Sequence, residues 1–323
     1  YPPCVGIRSN HTIETPEMNP PHKPRFALSV VIVSDFEPAA AKTWEDERRI
    51  LRAFAAQDIG QPFEIVLAEH ESARSSFPES LLTMYPNVRV VFSAEQQSAR
   101  LKDLAVARTL SDLVAVVEAD CLPNVRWLRL LVEVLRSMPH IHVASGRTSY
   151  GSASSYRRCL SLVDRSFDDL GHAGETTHVS NNGAVYRRRV LEAHPYPDAI
   201  TPFQSARMRS RSMRDAGLRF WLEPQAVMMH AIGGLGFIRD VRRHTGYADM
   251  SSHSRRHAGE IPKLLRCRLV DQWRAARRLG SRYLRWYDWP LLLVLLGITR
   301  VLEVPGMLDA LRAREAIPSS AYR

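Results

Sequence analysis

Apolar runs and helix-like segments alternate along the first half of the chain. Four segments are continuous apolar runs with many β-branched residues, a pattern typical of strands covered on both faces: residues 26–33, 63–68, 88–92 and 113–117. Three further segments repeat apolar residues at helical spacing: residues 43–56, 98–110 and 127–138. Strands that alternate with helices predict an α/β fold, doubly wound, in which helices cover both faces of a mostly parallel sheet.

Polar side chains follow three of these predicted strands. Ser34 and Asp35 follow the first strand, Glu69 ends the second, and Glu118 and Asp120 end the fourth. In open α/β sheets ligands bind outside the carboxyl ends of the strands, so we expect these side chains to line one rim. The chain has neither a G-x-G-x-x-G motif after the first strand nor a G-x-x-x-x-G-K-[ST] motif, which disfavours dinucleotide-binding and P-loop proteins.

Glu118 and Asp120 stand one residue apart where an apolar strand ends. A rim lined with carboxylates repels phosphate groups unless a divalent cation lies between them, and oxygen ligands favour Mg²⁺ or Mn²⁺. The pair therefore predicts a metal site that also receives a phosphorylated ligand. The alternative is that Asp120 only caps the helix that begins near Asn124.

Several short motifs follow one another along the chain. The first strand contains Ser-Val-Val-Ile at 29–32, and the segment 64–72 is a second strand that ends in acidic residues and a serine. Lys-Asp at 102–103 precedes Glu-Ala-Asp at 118–120. Further on, residues 180–188 read Ser-Asn-Asn-Gly-Ala-Val-Tyr-Arg-Arg.

A last strand-like segment, residues 217–230, ends in His230. The order and spacing of all these motifs resemble the family 2 glycosyltransferases, which have the GT-A fold and transfer a sugar from a nucleotide-diphosphate donor. The resemblance covers about residues 27–240. It implies a glycosyltransferase that acts on a glycan or a lipid-linked acceptor.

The resemblance also implies roles for particular residues. The nucleotide-sugar donor would contact side chains at the strand ends and on the following helix: Ser34, Glu69, Lys102, Glu118 and Asp120. A divalent ion, Mg²⁺ or Mn²⁺, would be held by Asp120, Glu118 and His230. The acceptor would contact Asn181 and Asn182.

The general base that the resemblance implies is missing from its usual place. Family 2 members carry a Glu-Asp or Asp-Asp pair before the helix that here ends at Gly217, whereas residues 203–208 contain no acid. An inverting transfer needs a base within hydrogen-bond reach of the attacking hydroxyl. Asp198 is the nearest upstream carboxylate and is the candidate catalytic residue. The alternative is a degenerate GT-A domain without transfer activity, which binds a nucleotide sugar or acts as a scaffold.

Positive charge is concentrated toward the C-terminus. The chain carries 44 Lys and Arg against 34 Asp and Glu, a formal net charge of +10. Residues 239–285 alone hold thirteen basic and four acidic residues, a local charge of +9. Such a surface attracts phosphate, nucleic acid or anionic lipid. Because no RNP, zinc-finger or helix-turn-helix pattern accompanies the charge, we expect no nucleic-acid partner.

An apolar run at residues 289–299 follows this basic segment. A spanning helix needs about 20 apolar residues, and the run reaches that length only if it continues through Arg300 and Glu303. We expect an interfacial or re-entrant helix at an anionic membrane surface, with Trp286, Tyr287 and Trp289 at the level of the headgroups. The alternatives are a spanning helix and an ordinary buried helix that closes the domain.

These patterns divide the chain into three parts. Residues 1–25 form a Pro-rich tail that we expect to be disordered, residues 26–238 a GT-A domain, and residues 239–323 a basic, helical, membrane-associated segment. The four cysteines have no metal-binding spacing, which is typical of reduced thiols in the cytoplasm. We therefore expect a cytoplasmic protein, peripheral or monotopic at the inner face of the membrane.

Overall fold

The computed structural model describes most of the chain, namely residues 26–34, 43–166, 169–179, 183–197, 202–231, 235–253 and 256–313. Its strands are β1 (Ser29–Val33), β2 (Glu64–His70), β3 (Val88–Ser93), β4 (Leu113–Glu118), β5 (Cys121–Pro123), β6 (Val143–Ser149), β7 (Gly174–Thr176), β8 (Ala184–Arg187) and β9 (Phe220–His230). The predicted tail 1–25 lies outside the described residues.

The helices connect and then follow these strands. They are α1 (Glu45–Ala55), α2 (Ser80–Met84), α3 (Ser98–Val106), α4 (Trp127–Ser137), α5 (Ser155–Arg165), α6 (Arg188–Ala193), α7 (Pro202–Asp215), α8 (Leu235–Ser251), α9 (Ile261–Tyr283) and α10 (Trp289–Arg312). The predicted strands and helices of the first half are all present, with ends that differ from the prediction by up to four residues.

The strands form one mixed sheet in the order β3-β2-β1-β4-β8-β6-β9-β5, with β7 paired to β9. Strands β1 to β4 run parallel, as their alternation with helices predicts. Strand β8 then pairs antiparallel with β4 and β6, and β5 pairs antiparallel with β9. The expectation of an α/β fold with a mostly parallel sheet is confirmed, whereas the short strands β5, β7 and β8, which pair antiparallel with their neighbours, were not predicted.

Both faces of the parallel strands are buried. Successive side chains of a strand point to opposite faces, and in β1 Val30 and Ile32 belong to one core while Val31 and Val33 belong to the other. Helices α1 and α4 complete the first core, and α3, α6 and α7 complete the second. Because every position of β1 is covered, the strand reads as a continuous apolar run.

The three C-terminal helices pack on the sheet domain through α5. Cys159 of α5, Leu279 of α9 and Leu292 of α10 belong to one buried cluster. Helices α8 and α10 approach each other closely at Gly246 and Gly306, where a side chain on either glycine would overlap the backbone of the other helix. The basic segment is therefore helical, as expected, and it is in contact with the body of the protein.

Candidate metal and donor site

Four potential metal ligands meet at the carboxyl end of the sheet. Glu118 ends β4, Asp120 lies in the turn that follows, and Cys121 begins β5. The antiparallel pairing of β5 with β9 places Cys121 opposite His230. One ligand atom from each of the four residues lies within 4.8 Å of all the others. The structure thus brings together Glu118, Asp120 and His230, which the sequence motifs predicted.

The His230 side chain is an uncharged imidazole. Its Nδ1 lies 2.7 Å from the carbonyl oxygen of Ala231 and 3.3 Å from Oδ2 of Asp120. A carbonyl only accepts hydrogen bonds, so Nδ1 carries the hydrogen in that contact and Nε2 keeps its lone pair. Burial, with the nearby Arg165 cation, lowers the pKa of His230 to about 4. The imidazole is therefore uncharged at neutral pH, as metal ligation requires.

The two carboxylates differ in their electrostatic surroundings. Burial disfavours the ionised form of Glu118, but the Lys102 ammonium, 2.6 Å from Oε1, outweighs that effect and lowers the pKa of Glu118. For Asp120, burial, together with the charge of Glu118, raises the pKa to about 7. A cation bound between them would favour the ionised form of both groups.

This set of donor atoms fits a divalent cation. Two carboxylates and a neutral imidazole are ligands that Mn²⁺ accepts readily and that Mg²⁺ accepts through the oxygens. Cys121 contributes a thiol that donates a hydrogen bond to Oδ1 of Asp120 at 3.3 Å. Burial first, and then the charge of Asp120, raises the pKa of Cys121 well above its usual value, so the thiol is neutral.

The predicted nucleoside contacts lie at the neighbouring strand ends. Ser34 follows β1, and its hydroxyl donates to Oε1 of Glu69 in β2 at 2.6 Å. The same hydroxyl contacts Glu47 of α1, which sequence reasoning missed. All three side chains are buried. Ser34 and Glu69 thus continue the rim that begins at β4 along β1 and β2.

Arg165 and Tyr150 lie next to the cluster of candidate metal ligands (Glu118, Asp120, Cys121 and His230; called the metal cluster below), and neither was predicted. The Arg165 guanidinium lies 5.2 Å from the centre of the Tyr150 ring, which in turn lies edge-on to His230 with the ring centres 5.8 Å apart. The charge of Arg165 lowers the pKa of Asp120, although less than burial raises it. The site therefore has two cations near it, Lys102 beside Glu118 and Arg165 near Asp120, which suits a ligand with several negative charges.

The predicted acceptor contacts Asn181 and Asn182 and the candidate base Asp198 lie outside the described residues. Gly183 directly follows the asparagines with φ of +89°, a conformation that favours glycine. In the first turn of α7, at the place of the usual base, Ser205 is buried and donates to the Pro197 carbonyl oxygen.

Comparisons with known proteins show a family match in sequence and a similarity in fold. Residues 38–194 match the family model described as glycosyl transferase family 2. The mannosyltransferase PcManGT from Pyrobaculum calidifontis, solved in complex with GDP-Man and Mn²⁺, aligns over 93% of this chain and 91% of its own, with a TM-score of 0.57 and 16% identity. Residues 1–349 of S. aureus TarS align over 88% and 83% of the two chains, with a TM-score of 0.46 and 13% identity. No protein of curated function matches the sequence significantly.

Proposed function

We propose that this chain, which carries a family 2 glycosyltransferase domain of the GT-A fold over residues 38–194, transfers a sugar from a nucleotide-diphosphate donor to a hydroxyl of a glycan or lipid-linked acceptor. The observation that carries the proposal is the cluster of Glu118, Asp120 and His230 at the carboxyl end of the sheet. Ligands of open α/β sheets bind at this edge.

A divalent cation, Mg²⁺ or Mn²⁺, would be held by Glu118, Asp120 and His230. When bound, it supplies positive charge that stabilises the diphosphate leaving group. The presence of GDP-Man and Mn²⁺ in PcManGT supports a nucleotide sugar and a divalent ion as the partners of this fold. Lys102 orients Glu118 through their 2.6 Å ion pair, and Arg165 adds a second cation near the cluster.

The nucleoside half of the donor would lie along the rim next to the metal cluster. Ser34 and Glu69 are the proposed contacts there, and Glu47 joins them through the Ser34 hydroxyl. These three buried side chains come from β2, α1 and the residue after β1.

A second candidate function is a domain that binds the donor without transferring the sugar. The observation that favours it is the first turn of α7, where Gln204, Ser205 and Ala206 replace the acid of the family. A general base typically contributes about 10²- to 10⁴-fold to the rate. Its loss slows transfer and leaves donor binding intact, because the metal cluster does not involve α7.

Product formation from a panel of nucleotide sugars distinguishes the two functions. We expect slow transfer by the wild type that depends on Asp198, and faster transfer by Ala206→Asp. Ala216→Asp is the matched control, because Ala216 is exposed just after the same helix. Rapid wild-type transfer that Asp198→Asn leaves unchanged would exclude Asp198 as the base. No turnover with any donor by the wild type or by Ala206→Asp, with donor binding retained, would establish the binding function.

We also propose that the protein works in the cytoplasm, at the inner face of a membrane. Three cysteines of the described part of the chain, Cys121, Cys159 and Cys267, are free thiols, as expected in a reducing compartment. One helix, Trp286–Arg312, is long and apolar enough to cross a membrane, and 39% of its most apolar window is buried. The packing of this helix on the rest of the protein determines which of its faces can contact a membrane.

A further inference from the structure

The inward face of α10 is held to the protein by buried ion pairs. Glu303 is fully buried and lies 2.6 Å from Arg300 and 3.2 Å from Arg242 of α8. Arg242 also pairs with Asp164 of α5. The two charges that interrupt the apolar sequence of α10 therefore have partners inside the protein. They would lose those partners if the helix left the body to span a bilayer, at a large cost.

Close backbone packing fixes the same face of α10. An added side-chain carbon on Gly306 would lie 2.7 Å from the carbonyl carbon of Arg243 and 2.9 Å from the amide nitrogen of Tyr247. Tyr247, Met307 and Ala310 pack around this contact as a buried cluster. Helix α10 is therefore a fixed part of the fold, so only its outer face is available to a partner.

The outer face of α10 is apolar over about two and a half turns. Leu293 is 54% exposed, Val294 54%, Ile298 48% and Val301 70%. Leu293 and Val294 are adjacent, Ile298 follows Val294 by four positions, and Val301 follows Ile298 by three. This spacing puts all four on one side of the helix. Such a stripe is unusual on a surface helix, where charged and polar residues normally face water.

Helix α9 extends this apolar face and adds charge to it. Trp273 packs edge-on against Trp289, with the ring centres 6.0 Å apart, and Leu293 follows Trp289 by one turn of α10. Arg266 and Arg277 lie seven residues before and four residues after Trp273, so they flank it along the same side of α9. Both arginines are exposed.

The turn between α9 and α10 carries exposed aromatic rings. Trp286 is 85% exposed and Tyr287 is 43% exposed, and the two rings contact each other at 5.7 Å. Tyrosine and tryptophan concentrate at the level of lipid headgroups, because their rings are apolar and their polar atoms reach water. An apolar stripe, flanking arginines and exposed aromatic rings together match an anionic bilayer in both polarity and charge.

We infer that the protein docks on an anionic phospholipid bilayer through the outer faces of α9 and α10, with α10 lying in the plane of the interface. This docking face includes Arg266, Trp273, Arg277, Leu293, Val294 and Val301, together with the exposed aromatic rings between the two helices. The sequence left three possibilities for α10, namely an interfacial or re-entrant helix, a spanning helix and a buried helix. The inferred docking selects the interfacial helix, because α10 neither spans the membrane nor is buried on all sides. The inference does not rest on sugar transfer, since it is tested without donor or acceptor.

Sedimentation of the full chain with vesicles tests the docking face. The wild type should bind phosphatidylglycerol vesicles and bind phosphatidylcholine vesicles much more weakly. Val294→Glu/Val301→Glu should abolish binding, because both substitutions place a carboxylate in the apolar stripe. The matched control is Met84→Glu/Leu110→Glu, which changes two exposed apolar residues of the sheet domain and should bind as the wild type does.

A second pair of variants tests the charge separately from the apolar stripe. Arg266→Gln/Arg277→Gln should weaken binding to phosphatidylglycerol vesicles by about 25-fold, at the usual contribution of a basic residue near an anionic surface. Arg49→Gln/Arg211→Gln removes the same charge from α1 and α7 and should leave binding unchanged. These substitutions are on the surface, so folding is checked by urea unfolding of each variant.

Three results would overturn the inference. The first is wild-type protein that stays in solution with phosphatidylglycerol vesicles at low salt. The second is Val294→Glu/Val301→Glu protein that still sediments with them. The third is a wild-type dimer that becomes a monomer in this variant without any vesicle binding, which would make the face a contact between two copies of the chain.

Discussion

Replacing Gly306 by alanine should destabilise the protein through the contact between α8 and α10. The added carbon would lie 2.7 Å from the Arg243 carbonyl carbon and 2.9 Å from the Tyr247 amide nitrogen, whereas carbon atoms in contact are normally about 3.5–4.0 Å apart. The Arg243 carbonyl oxygen lies nearer still, so the helices must separate by more than about 1 Å. Overpacking of this kind costs about 1–3 kcal/mol, and we take about 3 kcal/mol because the obstructing atoms are backbone. The higher helix propensity of alanine offsets about 1 kcal/mol of this cost. The free energy of unfolding should therefore fall by about 2 kcal/mol.

Gly297→Ala is the matched control on the same helix. Gly297 has nothing within 4 Å of an added carbon and is exposed, so only the propensity gain of about 1 kcal/mol applies. Urea unfolding followed by circular dichroism should therefore separate the two variants by about 3 kcal/mol. Equal stability of Gly306→Ala and Gly297→Ala would refute the close packing of α10 on α8.

Two further predictions concern buried ion pairs. Lys102→Met should lower the free energy of unfolding by about 3 kcal/mol, because it leaves Glu118 buried without its cation. The control Lys263→Met, at an exposed lysine, should change the free energy of unfolding by less than about 1 kcal/mol. Similar losses of stability for the two variants in urea titrations would contradict the importance of the buried pair. Hydrogen bonds from Arg158 hold the pKa of Asp288 well below its usual range, so this pair stabilises the protein fully above pH about 4 and the contribution is lost as the pH falls. The difference in unfolding free energy between wild type and Asp288→Asn should thus shrink below pH 4, and a difference that does not vary with pH would contradict the assignment.

The metal cluster could be anticipated where its residues end apolar strands. Glu118 and Asp120 are visible because an uninterrupted buried strand stops there, and His230 because it ends the last core strand. Arg165 is 45 residues from Asp120 and lies on an amphipathic helix with two other arginines. Its position depends on how α5 packs on the sheet, which no local pattern encodes. Cys121 could have been inferred, since it directly follows Asp120 at the start of a strand.

The packing of α10 could not be derived from the sequence alone. Arg300 and Glu303 interrupt an apolar run, and such charges are compatible with a spanning, an interfacial or a buried helix. The structure pairs them with each other and with Arg242, which is about sixty residues earlier in the chain. A contact of that sequence separation leaves no periodic signal, whereas the apolar stripe at 293–301 does.

The most direct test of the proposed function is a calorimetric titration of nucleoside diphosphates, including GDP and UDP, with and without Mn²⁺. We expect at least one of them to bind the wild type in the presence of Mn²⁺ and not in excess chelator. Asp120→Ala should abolish that binding, whereas Asp112→Ala, which removes an exposed carboxylate just before β4, should preserve it. Equal nucleotide affinity in chelator, or undiminished Mn²⁺-dependent binding by Asp120→Ala, would contradict the assignment of the site.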